Sequence, residues 1–391
     1  MQLALSDEDA KFRDELRTFF TTEIPAEIRD RARNDELIWP DDIVTTMRIL
    51  NKAGLAVPNW PVEWGGKDWS PLQRQLWADE MRLASVPEPL AFNASMVGPV
   101  IAQFGSQEIK ERFLPATANL DIWWCQGFSE PEAGSDLASL RTVAVRDGDD
   151  YVINGQKTWT TLGQFADWIF VLARTNPDAP KKQAGISFIL VEMSTPGITL
   201  RPIKLIDGSY EVNEVFFEDV RVPANQLVGE ENQGWSYAKF LLSNERTGIA
   251  RIGTTKVWLS DVKERAAKTT VGNGTLLEDP LFASRVAEIE NELLALELTQ
   301  LRVSGDEGTG KPNPASSILK LRGSQLQQAV TELLVEVAGP DALPFEAGDG
   351  IDSPQWAQQA APRYLNFRKT SIYGGSNEVQ RTIISSTILG L

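Results

Sequence analysis

Thr142-Val-Ala-Val-Arg-Asp-Gly-Asp-Asp-Tyr-Val-Ile153 lies near the middle of the chain, and its reading decides the architecture. Two short runs of period two flank Asp147-Gly-Asp-Asp150, which is the signature of a β-hairpin. Further strands are predicted over Asp167–Arg174, Gly185–Glu192, Ile198–Ile203 and Glu214–Val222, rich in Val, Ile, Phe and Trp and parted by Pro, Gly and Asp clusters. On either side of this block the period is helical. Upstream, Ser6 and Asp9 have capping-box spacing, and Phe12, Leu16, Phe19 and Phe20 share one helical face. Asn59-Trp-Pro-Val-Glu-Trp-Gly-Gly66 reads as a turn-rich loop, and a helix over Gln107–Leu114 is expected to stop at Pro115. Downstream, helices are expected over roughly 235–268, 280–304, 315–338 and 376–389. Helices, then strands, then helices define an α+β chain and argue against a parallel α/β sheet. The expected units are an N-terminal helical domain (1–121), a middle antiparallel β domain (122–233) and a C-terminal helical bundle (234–391).

Composition removes whole classes of chemistry. The 391 residues contain no histidine and one cysteine, Cys125, so Ser-His-Asp triads, Cys-His pairs, His-rich zinc sites and internal disulfides are all excluded. Acid–base work must fall to Asp, Glu, Lys or Tyr, or to a bound cofactor. The net charge of −16 repels phosphate backbones and anionic membranes, so neither nucleic acid nor membrane is an expected partner. The acidic start, Met1-Gln-Leu-Ala-Leu-Ser-Asp-Glu-Asp9, lacks the layout of a signal or transit peptide, and no apolar run approaches the ~20 residues needed to span a bilayer. A cytoplasmic protein is the expectation.

Two motifs fail on inspection. Gly305-Asp-Glu-Gly-Thr-Gly-Lys311 has the spacing of a phosphate-binding loop, but Pro312 stands where Ser or Thr is needed, and the run follows a predicted helix. No GxGxxG joins a strand to a helix, so a dinucleotide-binding α/β fold has no support. Nothing signals a metal.

Three stretches carry polar and aromatic residues that packing does not require. Trp124-Cys-Gln-Gly-Phe-Ser-Glu-Pro-Glu-Ala-Gly-Ser-Asp136 combines small residues and hydroxyls, suiting backbone that approaches a planar polar ligand. Asn154-Gly-Gln-Lys-Thr-Trp-Thr-Thr161 reads as a turn feeding a strand with Trp159 and Thr161 on one face; an ordinary strand Trp is the plain alternative. Ser371-Ile-Tyr-Gly-Gly-Ser-Asn-Glu-Val-Gln-Arg381 sets a Gly pair before a helix N-terminus, suited to an anion or a carbonyl, or simply to capping.

In this order the three stretches resemble the acyl-CoA dehydrogenase family along the whole chain, with support from Gly105-Ser-Gln-Glu-Ile-Lys-Glu-Arg-Phe-Leu-Pro115 and Glu214-Val-Phe-Phe-Glu-Asp-Val-Arg-Val-Pro223. The resemblance implies a C-terminal four-helix bundle, an FAD between bundle and β domain, an acyl-CoA substrate, and an electron-transfer flavoprotein as acceptor. It implies that Gln126, Phe128 and Ser129 contact the flavin, that Trp159 covers its ring and that Thr161 lies near N5. Gly134 and Ser135 would face phosphates or the CoA chain, Ser376 and Glu378 the nucleotide part, and Arg246 and Tyr373 the substrate.

Many members of that family carry a catalytic Glu directly after the Tyr of the third motif, where this chain has Gly374. A subset places the base on the first bundle helix instead, which points to Glu245 in Ser243-Asn-Glu-Arg-Thr-Gly-Ile-Ala-Arg251. Leu242, Glu245, Ile249 and Ile252 fall on one stripe of a continuous helix, where a carboxylate is costly unless paired with a cation such as Arg246 or used. The Gly374 N–H could still polarise a thioester carbonyl. Oxygen-reactive flavoproteins of the same fold and a structural partner subunit are the alternatives. Two stretches depart from family patterns that reach a neighbour's adenine, Lys268-Thr-Thr-Val-Gly-Asn-Gly274 and Glu336-Val-Ala-Gly-Pro340. Within the family the chain resembles the pimeloyl-CoA dehydrogenase large subunit and subunits of bacterial steroid-degrading enzymes. A heterotetramer with a related chain, a homodimer or a homotetramer is therefore expected.

Overall fold

The computed structural model describes residues 5–33, 40–305, 313–343 and 353–391; side chains of 243–249 and 304–305 also lie outside the description. The N-terminal helices are α1 (Asp7–Thr22), α2 (Ala26–Arg33), α3 (Pro40–Lys52), α4 (Pro71–Leu83), α5 (Gly98–Phe104) and α6 (Gln107–Ala118). Ser6 caps α1 by accepting from the Asp9 N–H at 3.1 Å, while the Asp9 carboxylate turns to the Ser6 hydroxyl, so only one arm of the expected box forms. Leu16 and Phe20 are buried and Phe12 and Phe19 pack against the same core, as the stripe predicts.

Pro115 does not stop α6; the helix runs through it to Ala118. The turn beyond the proline is held from outside. Thr117 accepts from the Trp124 indole at 2.9 Å, and Asn93 Nδ2 donates to the Thr117 carbonyl at 3.0 Å. These bonds offset the ladder bond that proline cannot make.

The strands are β1 (Trp124–Gly127), β2 (Val143–Asp147), β3 (Asp150–Thr161), β4 (Trp168–Arg174), β5 (Ile186–Glu192), β6 (Ile198–Ile203) and β7 (Val212–Pro223). They form one sheet in the order β1-β4-β2-β3-β7-β6, with β5 also on β4. The β2–β3 hairpin has the predicted register, Asp147 opposite Asp150 around Gly148, whose φ of +61° a tight turn requires. The antiparallel expectation needs two amendments: β1 runs parallel to β4, and β2 meets β4 in parallel at Val143 and Arg174. The intervening β2–β3 hairpin acts as the crossover that a parallel pair needs. Along β4, Ile169, Val171 and Ala173 face one core and Phe170 and Leu172 the other, so the strand is buried on both faces.

The C-terminal part comprises α7 (Gly234–Ile249), α8 (Ile252–Ala266), a small β8–β9 hairpin (Thr270–Val271, Gly274–Thr275), α9 (Pro280–Gly305), α10 (Ser316–Ala338), α11 (Gln355–Gln358), α12 (Ala360–Asn366) and α13 (Asn377–Ile384). The segment expected as one helix over 235–268 is two, because Arg251 adopts a left-handed φ of +45°. The cause is steric: α10 approaches so closely that a Cβ on Gly323 would lie 2.6 Å from the Ala250 Cα, and Gln327 Nε2 donates to the Ala250 carbonyl freed by the break. The phosphate-loop lookalike lies mostly outside the described residues, directly after α9.

Candidate active site

α7 packs against β5, α5, α10 and a π-helical stretch at Phe92–Val97, so it joins all three parts of the chain. Residue 245 falls within it, but the side chains of Glu245 and Arg246 lie outside the described residues. The helix break means that Ile252 does not extend the Leu242–Ile249 stripe on one continuous helix.

The first motif begins as a strand, not a loop: Gln126 sits on β1 opposite Phe170. Phe128 follows two residues later. Its ring is buried, edge-on to Phe170 and Phe188, and its carbonyl accepts from Lys157 Nζ at 3.2 Å. Its side chain is committed to the core, which leaves only main chain for a ligand. Gln126 and Ser129 are half-buried, and their side chains have no hydrogen-bond partner among the described residues. The Ser129 carbonyl accepts from the Thr158 N–H at 2.9 Å, which ties the loop to β3. Gly134 and Ser135 are exposed, and a Cβ on Gly134 would meet nothing within 4 Å.

On β3 the register slips between Lys157 and Thr160, and Trp159 takes a left-handed φ of +59°. Its indole is 59% exposed between buried Thr158 and Thr160. A non-glycine residue held in that conformation with its large ring in solvent carries strain that packing does not repay, which marks a ligand surface. Thr161, half-buried and without a side-chain partner among the described residues, follows it.

The third motif is built from below. Gly374 and Gly375 have φ of +63° and +82°, and Gln380 Nε2 donates to both carbonyls, at 3.4 and 3.1 Å. Ser376 caps α13 by accepting from Val379 N–H, so capping occurs whatever else the motif does. Asn377 Oδ1 accepts from Lys320 Nζ and Ser324 Oγ on α10, each at 3.1 Å. Tyr373 is half-buried and Glu378 exposed; the amide and hydroxyl bonds of the cap hold the Glu378 carboxyl below its ordinary range.

These two surfaces are clamped together. Asn366 Nδ2 donates to Asp207 at 2.5 Å and to Glu211 at 3.0 Å, and Lys369 pairs with Glu211. The Glu211 carbonyl accepts from Leu162 N–H, directly after the Trp159–Thr161 segment. The clamp therefore joins the segment just after the sheet's exposed indole to the segment just before the bundle's glycine turn. Sequence reasoning passed over Asp207, Glu211, Lys320, Asn377 and Gln380. It also passed over Lys157, although strict alternation from the buried Tyr151 and Ile153 would have placed that cation on the inner face.

An exposed, strained indole on β3, with half-buried, unpartnered polar side chains of Thr161 beside it in sequence and of Gln126 and Ser129 on the segment bonded to β3, suits a flat heteroaromatic ring with polar edges. Family models now give the class. The acyl-CoA dehydrogenase N-terminal domain matches residues 6–121, the middle domain 125–220 and the C-terminal domain 232–389. The chain belongs to the acyl-CoA dehydrogenase family, oxidoreductases acting on acyl-CoA, and the cofactor this implies is a flavin. The acyl-CoA dehydrogenase IpdE1 of Mycobacterium tuberculosis is 38% identical over 347 residues, covering 88% of this chain and 86% of that protein. Two solved structures superpose along the chain. The ChsE4–ChsE5 complex from Mycobacterium tuberculosis has a TM-score of 0.85 at 32% identity, covering 100% of this chain and 99% of that one. The steroid ACAD Tcur3481–Tcur3483 has a TM-score of 0.87 at 30% identity, with the same coverage. Among the described residues no helix is long and apolar enough to cross a membrane, and no cluster of side chains could hold a metal ion.

Proposed function

We propose that this chain carries out FAD-dependent α,β-dehydrogenation of a CoA thioester to the trans-2-enoyl-CoA, with Glu245 as the general base. The observation that carries the reading is the strained, exposed Trp159, in a segment that the Glu211 clamp ties to the bundle just before the Gly374–Gly375 turn. Trp159 covers the flavin ring, Gln126, Ser129 and Thr161 bond its polar edge, and Phe128 contributes main chain. Gly134 and Ser135 meet phosphates or the CoA chain, and Ser376 and Glu378 the nucleotide part. The bound flavin supplies the acceptor for the substrate's β-hydrogen with its electron pair. Glu245, on α7, takes the α-proton onto its carboxylate. The Gly374 N–H, held by the Gln380 brace, donates to the thioester carbonyl as negative charge builds there. Arg246 and Tyr373 line the substrate.

Glycine at 374 removes the side chain that other members use and leaves width for a bulky acyl group. The similarity to a two-component steroid enzyme supports a steroid-derived thioester and an assembly with a related partner chain. An electron-transfer flavoprotein is the proposed acceptor and the cytoplasm the proposed location. The units 1–121, 122–233 and 234–391 each contribute one wall of the site. Glu245→Gln tests the central step: the variant should stay flavin-bound and lose turnover. A variant turning over near the parent rate would remove Glu245 from the mechanism.

A further inference from the structure

A buried ion pair sits behind the cofactor surface, and the mechanism above leaves it unused. Lys157, on β3, is fully buried, and Glu130, in the first motif's loop, is 7% exposed. Lys157 Nζ lies 2.7 Å from Glu130 Oε1 and 3.2 Å from the Phe128 carbonyl. The same carboxylate accepts from Arg141 N–H at 2.6 Å and Thr142 N–H at 2.9 Å. One side chain thus fastens the loop's start to its end, eleven residues on, and both to the strand. Burial pushes the Lys157 ammonium down to about 8 against the opposing pull of Glu130. Burial would push the Glu130 carboxyl up, but Lys157 and the amide bonds outweigh it and hold it below its ordinary value.

A buried ion pair is weak evidence for stability, because well-packed apolar side chains often replace one at little cost. What the pair supplies is direction. The carboxylate's bonds point along fixed lines at Lys157 and at both ends of the 130–142 loop, which carries Gly134 and Ser135. Ser129 immediately precedes Glu130, and Trp159 follows Lys157 by two residues, across the Thr158–Ser129 main-chain bond. We infer that Glu130 and Lys157 are a positioning pair that fixes the Ser129 loop against Trp159 and thereby sets how tightly the flavin is held. This rests on the flavin reading of the site.

The test compares flavin-loaded protein with Lys157→Met, Glu130→Gln and the double variant, measuring thermal stability and FAD dissociation separately. Each single variant leaves an unpaired buried partner and should lose both stability and FAD affinity. The double variant has no orphaned charge, so its stability should return while FAD binding stays about tenfold or more weaker, with an altered flavin absorption band. A merely structural pair would let both readouts recover together. A double variant binding FAD within about twofold of the parent overturns the inference. A parent protein that binds no flavin instead refutes the underlying reading.

Discussion

Replacing Gly375 with alanine perturbs the turn proposed to face the substrate without touching any reacting atom. Its φ of +82° is left-handed, which costs an alanine roughly 1–2 kcal/mol. The new Cβ would stand 2.5 Å from Gln380 Nε2, well inside contact. Gln380 is fully buried and cannot swing into solvent, so the amide must leave the carbonyls of Gly374 and Gly375 that it now braces. Losing that brace adds about 1 kcal/mol. Together these predict a total of about 2–3 kcal/mol, seen as a melting temperature lower by a few degrees. The functional effect should be larger. If the Gly374 N–H moves by about 1 Å, the rate should fall by about 100-fold, mostly in kcat, with flavin retained. Gly148→Ala is the control, since its φ of +61° imposes comparable strain in open space on the distant β2–β3 turn. It should lose stability and keep kcat. A Gly375→Ala enzyme with kcat within about twofold of the parent would show that the turn is only a helix cap.

Lys369→Met removes the cation that joins Glu211 on the sheet side to the bundle; it should weaken thioester binding about fivefold, roughly 1 kcal/mol, in a KM measurement that leaves kcat nearly unchanged. Burial pushes the Cys125 thiol far up, so a thiol reagent should label it only on unfolding; rapid labelling of folded protein would mean that β1 opens. Glu130 titrates below the ordinary carboxylate range: burial pushes it up, but Lys157 and the Arg141 and Thr142 amides outweigh it. A depressed folded-state value contributes stability above the unfolded value, about 4.3, that is lost as pH falls through it. The melting temperature should therefore hold from about pH 7 to 5 and drop below about 4, with a shallower acid limb in Glu130→Gln; an identical limb would contradict the assignment.

Local chemistry made much of this protein legible in its sequence. The Gly148 turn, the alternating strands and the Ser6 cap were each set by residues within a few positions of one another, and they formed as expected. What was missed depends on distant partners. Pro115 looked like a stop because nothing nearby shows Thr117 held by Trp124 and Asn93. The unbroken helix expected through Arg251 failed because the approach of α10 at Gly323 comes from seventy-odd residues away in the chain. At the site, the quoted motifs contain Trp159 and Gly374, both of which adopt left-handed backbone. The braces Lys157 with Glu130, and Asn366 with Asp207 and Glu211, join segments remote in sequence, whereas Gln380 bonds glycines only five and six residues before it. Phe128, beside the Glu130 loop, turns its ring toward Phe170 and Phe188, which lie far along the chain.

The central claim is that a flavin stacked on Trp159 receives electrons from a CoA thioester whose α-proton passes to residue 245. Anaerobic mixing of the flavin-loaded protein with a panel of CoA thioesters, from short straight chains to ring-bearing ones, tests it directly. At least one thioester should bleach the visible flavin band in the parent protein, and the same thioester should bind Glu245→Gln without bleaching it. A loaded parent protein that binds these thioesters and keeps its full colour would contradict the account.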